Sequence, residues 1–225
     1  MGTVTVLPHT TKEPISMIGW MAGVCWGGDV TNDGKNYRRG MDCILSGHGR
    51  AVEYPDVYLV IDGYSAKVIR EWYTHIGCLP TRLQASTRYI NYNDFQYVTP
   101  QTIRDNPDAA AVYDDAMREI AKSMKALEEL GVPREDSSMV LPLCMTTKVV
   151  EKRNARNLID MSRNRMCKRA YWEFRDLFRD ICKALSEYSD QWGVLIESQM
   201  KPKCEVLGYC PEKDGCGRKP QQRSM

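Results

Sequence analysis

The stretch from residue 107 to residue 130 limits the fold of this 225-residue chain more than any other segment. Asn106 stands before it as an N-cap, Pro107 occupies a first-turn position where a missing N–H is harmless, and Gly131 follows it. The apolar residues that recur along it at helical spacing are Val112, Ala116, Ile120, Met124 and Leu127. The pattern predicts a long helix whose apolar stripe packs against the rest of the protein.

Shorter patterns on both sides of this helix predict a mixture of strands and helices. Strands are expected at 3–7 and 57–61, the second ending in a turn at Asp62-Gly63. Helices are expected at 36–46, after an N-cap at Ser65, and over 154–188 with room for one break. The apolar residues of the last helix that recur at helical spacing are expected to be core, and these are Phe174, Phe178, Ile181, Leu185 and Tyr188. The apolar segment 14–23 has the length of a helix, but its glycines leave its type open. Because no βαβ period or internal repeat occurs, we expect an α+β fold with a mixed or antiparallel sheet and long helices.

Composition excludes several classes of protein. The chain is 43% hydrophobic and 27% charged with a net charge of +2, which is typical of a soluble globular protein and excludes wholesale disorder. No apolar run approaches the roughly 18 residues of a membrane helix, and the N-terminus lacks a secretory pattern, so we expect a cytoplasmic protein. Residues 1–200 are expected to form one domain, followed by an extended or disordered tail at 201–225 that is rich in Cys, Gly and Lys.

A basic segment suggests an anionic partner. Between Lys148 and Arg169 there are eight basic side chains and two acidic ones, on what is expected to be largely a helix. Such a surplus either is a solvated face or binds phosphates, in a nucleotide or in a nucleic acid. A nucleic-acid-binding module is disfavoured because aromatic residues for base stacking, Tyr171 and Trp172, lie only at the edge of the segment.

The segment from Arg70 to Tyr89 has the composition of a nucleotide-binding loop. A predicted helix leads into a Gly- and Pro-containing loop with many Arg, Gln, Ser and Thr donors, which suits phosphate oxygens. No Gly-x-Gly-x-x-Gly or P-loop pattern is present, so a nucleotide would not be held in the Rossmann manner.

Metal and hydrolase chemistry are weakly supported. The nine cysteines lack a framework spacing and are expected to be reduced thiols. Cys204, Cys210 and Cys216 offer three zinc ligands, but their spacing is not that of a paired Cys-x-x-Cys site, and we predict no metal. Ser86 has no elbow motif, so a hydrolase triad is not expected.

Several motifs together resemble the flavin-dependent thymidylate synthase family. Over roughly residues 47–175, five blocks follow the family's order and spacing. These are Ser86-Thr87-Arg88-Tyr89, Val132-Pro133-Arg134-Glu135, Leu141-Pro142-Leu143, Asn154-Ala155-Arg156, and Arg165 with Ala170-Tyr171-Trp172-Glu173-Phe174-Arg175. The chain departs from the family's Arg-His-Arg triplet, of which only His75 survives, and Ser138 stands where relatives have a phosphate-binding Arg. Gly47-His48 and Val52-Glu53-Tyr54 match upstream elements in part.

The resemblance implies an activity, its cofactors and a set of site residues. Family members methylate dUMP to dTMP with methylenetetrahydrofolate as carbon donor and FAD, reduced by NADPH, as hydride source. Arg165 matches the arginine that faces the pyrimidine and is the implied catalytic residue. The implied dUMP-binding residues are Gln84, Ala85, Ser86, Thr87, Arg88 and Arg165. The implied FAD-binding residues are His75, Arg82, which replaces a lost guanidinium, Asn154, Arg156 and Asp160.

The same resemblance implies an oligomer and leaves one alternative activity open. Family members are homotetramers with active sites shared between subunits, so a homotetramer is expected. The altered triplet and Ser138 also fit a related flavoprotein that modifies uracil nucleotides in another way.

Overall fold

A computed structural model describes residues 2–221 of the chain. Within that range it contains four strands, ten α-helices and two short 3₁₀ turns. In chain order the elements are β1 (Thr3–Val6), α1 (Pro14–Cys25), α2 (Asp33–Leu45), β2 (Asp56–Ser65), α3 (Ala66–Trp72), β3 (Thr81–Gln84), α4 (Gln101–Arg104), α5 (Pro107–Glu129), α6 (Arg134–Ser137), β4 (Thr146–Asn154), α7 (Ala155–Arg165), α8 (Trp172–Tyr188), α9 (Asp190–Gln199) and α10 (Lys203–Leu207). The predicted α+β class is confirmed.

The strands form one antiparallel sheet in the order β1-β2-β4-β3. Its central pair places Val60 opposite Val150, and side chains alternate so that Val57, Leu59 and Ile61 are buried. The predicted turn at Asp62-Gly63 is wrong, because β2 continues to Ser65 through an irregularity between Asp62 and Tyr64. Gly63 takes a φ of 76° there, which glycine adopts without strain.

Helices cover the inner face of the sheet. Of the five α8 residues predicted to be core, Phe174, Phe178, Ile181 and Leu185 are fully buried, whereas Tyr188 is only partly buried at the edge of the core. Trp72 and Trp192 join them in the main core. Ser65 is the predicted N-cap of α3, and its hydroxyl accepts from the Val68 N–H over 3.1 Å. The segment 14–23, whose type the sequence left open, lies in helix α1, which packs closely on α2. The predicted helix at 36–46 begins three residues earlier, where Asn32 caps it.

The long helix α5 begins at the predicted cap, because Asn106 accepts from the Asp108 and Ala109 N–H groups. Its buried side is not quite the predicted stripe. Met117 and Met124 are buried in a second cluster with Phe95 and Met145, whereas Val112 is 71% exposed and Ala116 is also exposed. The buried face is therefore rotated from the expected one, since α5 packs on a loop and Met145 rather than on the main core.

The expected break in the 154–188 segment lies between α7 and α8. Its first residue, Asn154, is the last residue of strand β4, so the helix begins at Ala155. The tail is neither wholly extended nor disordered, because α10 forms at its start and both Cys204 and Cys210 are buried. The predicted tail residues 222–225 lie outside the described part of the chain. No helix within residues 2–221 is both long enough and apolar enough to cross a bilayer.

Candidate functional site

Arg165 lies at the end of α7 and contacts three side chains from α3, the loop after α3 and α8: a carboxylate, a histidine and an aromatic ring. Its Nε donates to Nε2 of His75 over 2.8 Å, and its Nη1 donates to Glu71 Oε2 over 3.3 Å. The guanidinium carbon lies 4.5 Å from the centroid of the Phe174 ring, a cation–π contact. Three partners therefore hold the half-buried guanidinium in one place, while its Nη2 has no hydrogen-bond partner among residues 2–221.

His75 is neutral in this arrangement. Burial, and then the nearby charges of Arg165 and Arg153, lower the pKa of His75 to about 4. A neutral imidazole has one N–H, and Nε2 is already the acceptor for Arg165, so the proton is assigned to Nδ1. His75 thus offers one N–H donor beside a permanent cation.

A buried network of charged and polar side chains connects β4 and α7 to the loop that carries His75. Arg153 and Glu151, both with fully buried side chains, form two hydrogen bonds, Nε to Oε1 over 2.8 Å and Nη2 to Oε2 over 2.7 Å. The Trp72 indole N–H donates to Glu151 over 2.8 Å and the Arg153 guanidinium lies 4.4 Å from the Trp72 ring centroid. Asn157 accepts from Arg153 and donates to the Gly77 carbonyl over 2.6 Å, so the network reaches the loop that follows His75.

The start of α3 is fixed by a second buried carboxylate. Glu173, in the last of the matched sequence blocks, accepts from the Ser65 N–H over 2.7 Å. Because Ser65 is also the cap of α3, this contact sets the position of the helix that carries Glu71 and leads to His75.

The loop between α3 and β3 is irregular. Cys78 and Leu79 both have positive φ values, 58° and 50°, which non-glycine residues adopt only at a cost. Arg82 lies 4.0 Å from the centroid of the Tyr73 ring and donates from Nη2 to the Tyr73 carbonyl over 3.1 Å. Its Nη1 is buried and has no hydrogen-bond partner within residues 2–221. An orphaned guanidinium N–H of this kind fits an anionic ligand.

The residues predicted to bind dUMP lie at the outer edge of the sheet and in the loop that follows. Gln84 ends β3 and donates to the Thr147 hydroxyl over 3.2 Å, and the Ala85 N–H donates to the Lys148 carbonyl over 2.8 Å. The Ser86 hydroxyl accepts from the Arg88 N–H over 3.2 Å. Thr87 lies between them in the turn.

Arg88 connects two of the sequence blocks that are far apart in the chain. Its Nε lies 2.8 Å from Glu135 Oε2, although both side chains remain more than half exposed. Such an exposed pair contributes little stability, so Arg88 can exchange this partner for another anion at small cost.

Asn154, Arg156 and Asp160 lie around the first turns of α7. The Asn154 side chain caps the helix by accepting from the Asn157 N–H over 2.9 Å. Arg156 donates to Glu53 over 2.9 Å and its Nε lies 3.7 Å from Asp160. These three of the five predicted FAD-binding side chains therefore already have protein partners.

The basic segment does not form one cationic helix, contrary to the sequence-based expectation. Lys148 and Lys152 lie on β4, where they pair with Asp62 and Asp56 of the neighbouring strand, each over 2.7 Å. Arg153 is buried, and only the residues from Arg156 onward lie on α7 or beyond it. The positive charges are thus spread over a strand, a helix and a loop.

The structure brings together some of the predicted residues and adds others. Arg165 and His75 are in direct contact, and Arg82 contacts the same loop as His75. Sequence reasoning missed Glu71 and Asn157. Helical spacing offers no signal for Glu71, because α3 ends at Trp72 and His75 lies in the loop beyond it.

Cysteines take no part in this site's hydrogen bonds. All nine are free thiols, and no group of three His, Cys, Asp or Glu side chains in the described range is arranged to hold a metal ion.

Fold and site together define the class: an α+β protein in which a half-buried Arg–His pair lies beside a loop with an unpartnered guanidinium N–H, an arrangement suited to anionic ligands. Comparison with known proteins makes this specific. Residues 5–189 match the family model described as thymidylate synthase complementing protein. The chain belongs to that family, and the predicted resemblance is confirmed.

Individual relatives are similar in sequence over nearly the whole chain. A flavin-dependent thymidylate synthase from Nitratidesulfovibrio vulgaris is 28% identical, with 99% of this chain and 97% of that protein covered. Another from Thermococcus onnurineus is 25% identical, with 96% and 94% covered. Among solved structures, the fold is similar to a crystal structure of the UMP/dUMP methylase PolB from Streptomyces cacaoi bound with 5-Br dUMP, with a TM-score of 0.72, 15% identity, and 89% and 96% coverage. At that identity the last similarity is one of fold.

Proposed function

We propose that this protein is a flavin-dependent thymidylate synthase. In the proposed reaction dUMP is methylated reductively to dTMP, methylenetetrahydrofolate donates the carbon, and FAD reduced by NADPH supplies the hydride. The observation that carries the proposal is the Arg165–His75 contact, formed by two residues that the family motifs single out and that are 90 positions apart in the chain.

Arg165 is the proposed catalytic residue. The uracil ring gains negative charge when its C5 becomes a nucleophile, and a preorganised guanidinium stabilises that charge. Glu71, His75 and Phe174 hold the guanidinium, so it needs no reorganisation when the charge develops. The free Nη2 is the donor available to the pyrimidine.

The proposed dUMP site continues through Gln84, Ala85, Ser86, Thr87 and Arg88. Ser86 acts as an orienting group rather than a nucleophile, because no base lies within hydrogen-bond distance of its hydroxyl in the described structure. Arg88 is the cation proposed for the substrate phosphate, since its exposed partner Glu135 can be released at small cost.

The proposed FAD site uses His75, Arg82, Asn154, Arg156 and Asp160. Two donors support it directly: the Nδ1–H of neutral His75 and the unpartnered Nη1 of Arg82. Arg156 pairs with both Asp160 and Glu53, so the proposed roles of Arg156 and Asp160 require an exchange of partners when the cofactor binds.

We also propose that the protein is a cytoplasmic homotetramer built from one domain over 1–200, with 201–225 as a tail. The support for assembly is an exposed apolar surface beside the site: Leu79 is 89% exposed and Leu83, on the edge strand β3, is 73% exposed. Apolar side chains at an unpaired sheet edge favour contact with another chain.

Two measurements test the proposed function. The purified protein should bind FAD and show a flavin absorption spectrum, and it should release tritium from dUMP labelled at C5 when NADPH and methylenetetrahydrofolate are supplied. A protein that binds FAD but releases no tritium is not a thymidylate synthase, and incubation with uracil nucleotides followed by mass analysis then tests for another modification. A protein that binds no flavin and shows strongly salt-dependent affinity for RNA or DNA is a nucleic-acid-binding module.

A further inference from the structure

The C-terminal segment, which lies beyond the family match, forms one wall of a cavity. The cavity has a volume of about 200 Å³ and lies between the end of α7 with the residues after it, 163–170, and the segment 202–219. The family match ends at residue 189, so this second wall lies outside it.

The lining of this tail cavity carries a large excess of positive charge. Six cationic side chains line it against one carboxylate, that of Glu212. Those six residues are Arg163, Arg165, Arg169, Lys203, Arg218 and Lys219.

Carboxylates compensate only half of these charges. Arg165 pairs with Glu71 over 3.3 Å, Arg169 with Glu212 over 3.6 Å, and Arg218 with Glu205 over 3.3 Å. The other three, Arg163, Lys203 and Lys219, form no ion pair within the part of the chain that the structure describes. Arg163 is partly buried, whereas Lys203 and Lys219 are exposed, so solvent screens part of their mutual repulsion and an anion between them would relieve the rest.

We propose that the tail cavity is a binding site for a phosphate-type oxyanion, with Arg163, Lys203 and Lys219 as its principal cations. Guanidinium groups bind phosphate oxygens through paired hydrogen bonds, and lysines add compact positive charge. The volume is below the roughly 300 Å³ at which pockets for drug-sized ligands begin, so the site accepts a phosphate or diphosphate group rather than a whole nucleotide.

This inference goes beyond the proposed synthase activity and is tested without flavin or substrate. Inorganic pyrophosphate is titrated into the full chain by calorimetry in chloride buffer. We expect saturable binding that weakens at least tenfold when sodium chloride rises from about 50 mM to about 500 mM, because salt screens exposed charges. Absence of saturable binding to the wild-type protein would overturn the proposal.

A matched pair of double variants locates the site. Lys203→Gln with Lys219→Gln should weaken pyrophosphate binding at least tenfold. Lys122→Gln with Lys183→Gln removes the same charge from exposed positions on α5 and α8, away from the cavity, and should leave binding within twofold of wild type. Equal binding by both double variants would contradict the proposal. Thermal unfolding of each variant verifies that the protein is folded.

Competition then identifies the source of the oxyanion. If dUMP or FAD displaces pyrophosphate, the cavity holds the phosphate of that ligand, next to Arg165. If both leave it bound, the occupant is a free phosphate compound. The titration needs neither bound flavin nor turnover. A protein that fails as a synthase can therefore still bind pyrophosphate, and an active synthase can fail to bind it.

Discussion

Arg165 donates a hydrogen bond from Nε to Nε2 of His75 over 2.8 Å, and so joins the end of α7 to the loop after α3. The bond requires an unprotonated Nε2, which the low pKa of His75, about 4, provides at neutral pH. A histidine with an ordinary pKa would be charged in part of the population near pH 6.5, and the two cations would then separate.

Replacing Arg165 with Ala should reduce turnover while leaving flavin binding largely intact. A hydrogen bond to a charged group contributes about 1.5–3 kcal/mol, which corresponds to roughly a tenfold to hundredfold loss of rate. Tritium release from labelled dUMP measures turnover, and the flavin absorption of the purified variant measures cofactor binding. Arg118→Ala, at an exposed position on α5, is the control. Turnover equal to wild type in the Arg165 variant would exclude the catalytic role.

His75 should matter to catalysis chiefly as an acceptor for Arg165. His75→Gln keeps an acceptor oxygen near the position of Nε2 and also an N–H donor, whereas His75→Phe keeps the ring contact with Phe174 and removes both. The flavin absorption of each variant reports the loss of the donor separately. We expect His75→Phe to lose about tenfold more turnover than His75→Gln, since one hydrogen bond to a cation is lost. Separate values of kcat and KM for dUMP, at pH 7.5, give the comparison. Equal losses in both variants would mean that the acceptor is unimportant.

The low pKa of His75 also makes the protein less stable in mild acid. The unfolded chain binds a proton at this residue near the ordinary value of 6.5, but the folded protein does so only near 4. Between these values the unfolded state holds more protons, so the free energy of unfolding falls as the pH falls, and above pH 6.5 it is unaffected. Urea unfolding at several pH values between 4.5 and 7.5 should show this decline in wild type and a smaller one in His75→Gln.

A second titrating group and a second histidine serve as controls for that experiment. Hydrogen bonds from Thr31 and Lys35 hold the pKa of Asp29 at about 2, so its contribution is lost only below the ordinary value of 3.8, outside the range measured. His9→Gln, at an exposed position, removes a histidine without touching the site. If His75→Gln keeps the full wild-type decline, His75 is not its cause.

Local chemistry made several elements predictable. Asn106 and Ser65 are helix caps because short polar side chains satisfy free N–H groups at a helix start, and no distant contact is needed to recognise them. The buried strand at 57–61 and the core face of α8 follow from side-chain periodicity. The family itself was recognisable because five blocks occur in order, which no single motif would establish.

The remaining features depend on contacts between distant segments. Val112 and Ala116 were expected to be buried, but both are exposed because α5 packs on only a narrow surface. The periodicity of a helix does not show how wide the surface of its neighbour is. The sequence did not predict that the first part of the basic segment forms strand β4. Two of the strand's inward positions, Glu151 and Arg153, are charged, which hides the apolar alternation of a strand. Their pairing makes burial tolerable, and a single sequence does not reveal that pairing.

That buried pair should be strongly sensitive to the loss of one partner. Glu151→Gln keeps the size of the side chain and an acceptor for the Trp72 N–H, but it leaves the fully buried Arg153 without its counter-ion. We expect a loss of about 3–5 kcal/mol in the free energy of unfolding, measured in urea. Glu151→Leu combined with Arg153→Met should recover part of that loss, because no uncompensated charge remains although the Trp72 N–H and the Asn157 side-chain oxygen lose their partners. A Glu151→Gln variant as stable as wild type would show that Arg153 is solvated or otherwise compensated.

The packing of α1 on α2 should tolerate no side chain at two glycines. A Cβ added at Gly19 would overlap the backbone carbonyl of Asn36, and one at Gly40 would overlap the carbonyl of Ile15, so neither neighbour can rotate away. Gly19→Ala and Gly40→Ala should each cost at least about 1–3 kcal/mol, because the helices must move apart. Gly193→Ala, within α9, is the matched control: its added Cβ would come no closer than 4.0 Å to Ser186, and it should stabilise by about 0.5–1 kcal/mol through its lower backbone entropy. Urea unfolding of the three variants measures the contrast, and similar stabilities for all of them would mean that α1 and α2 are not in close contact in solution.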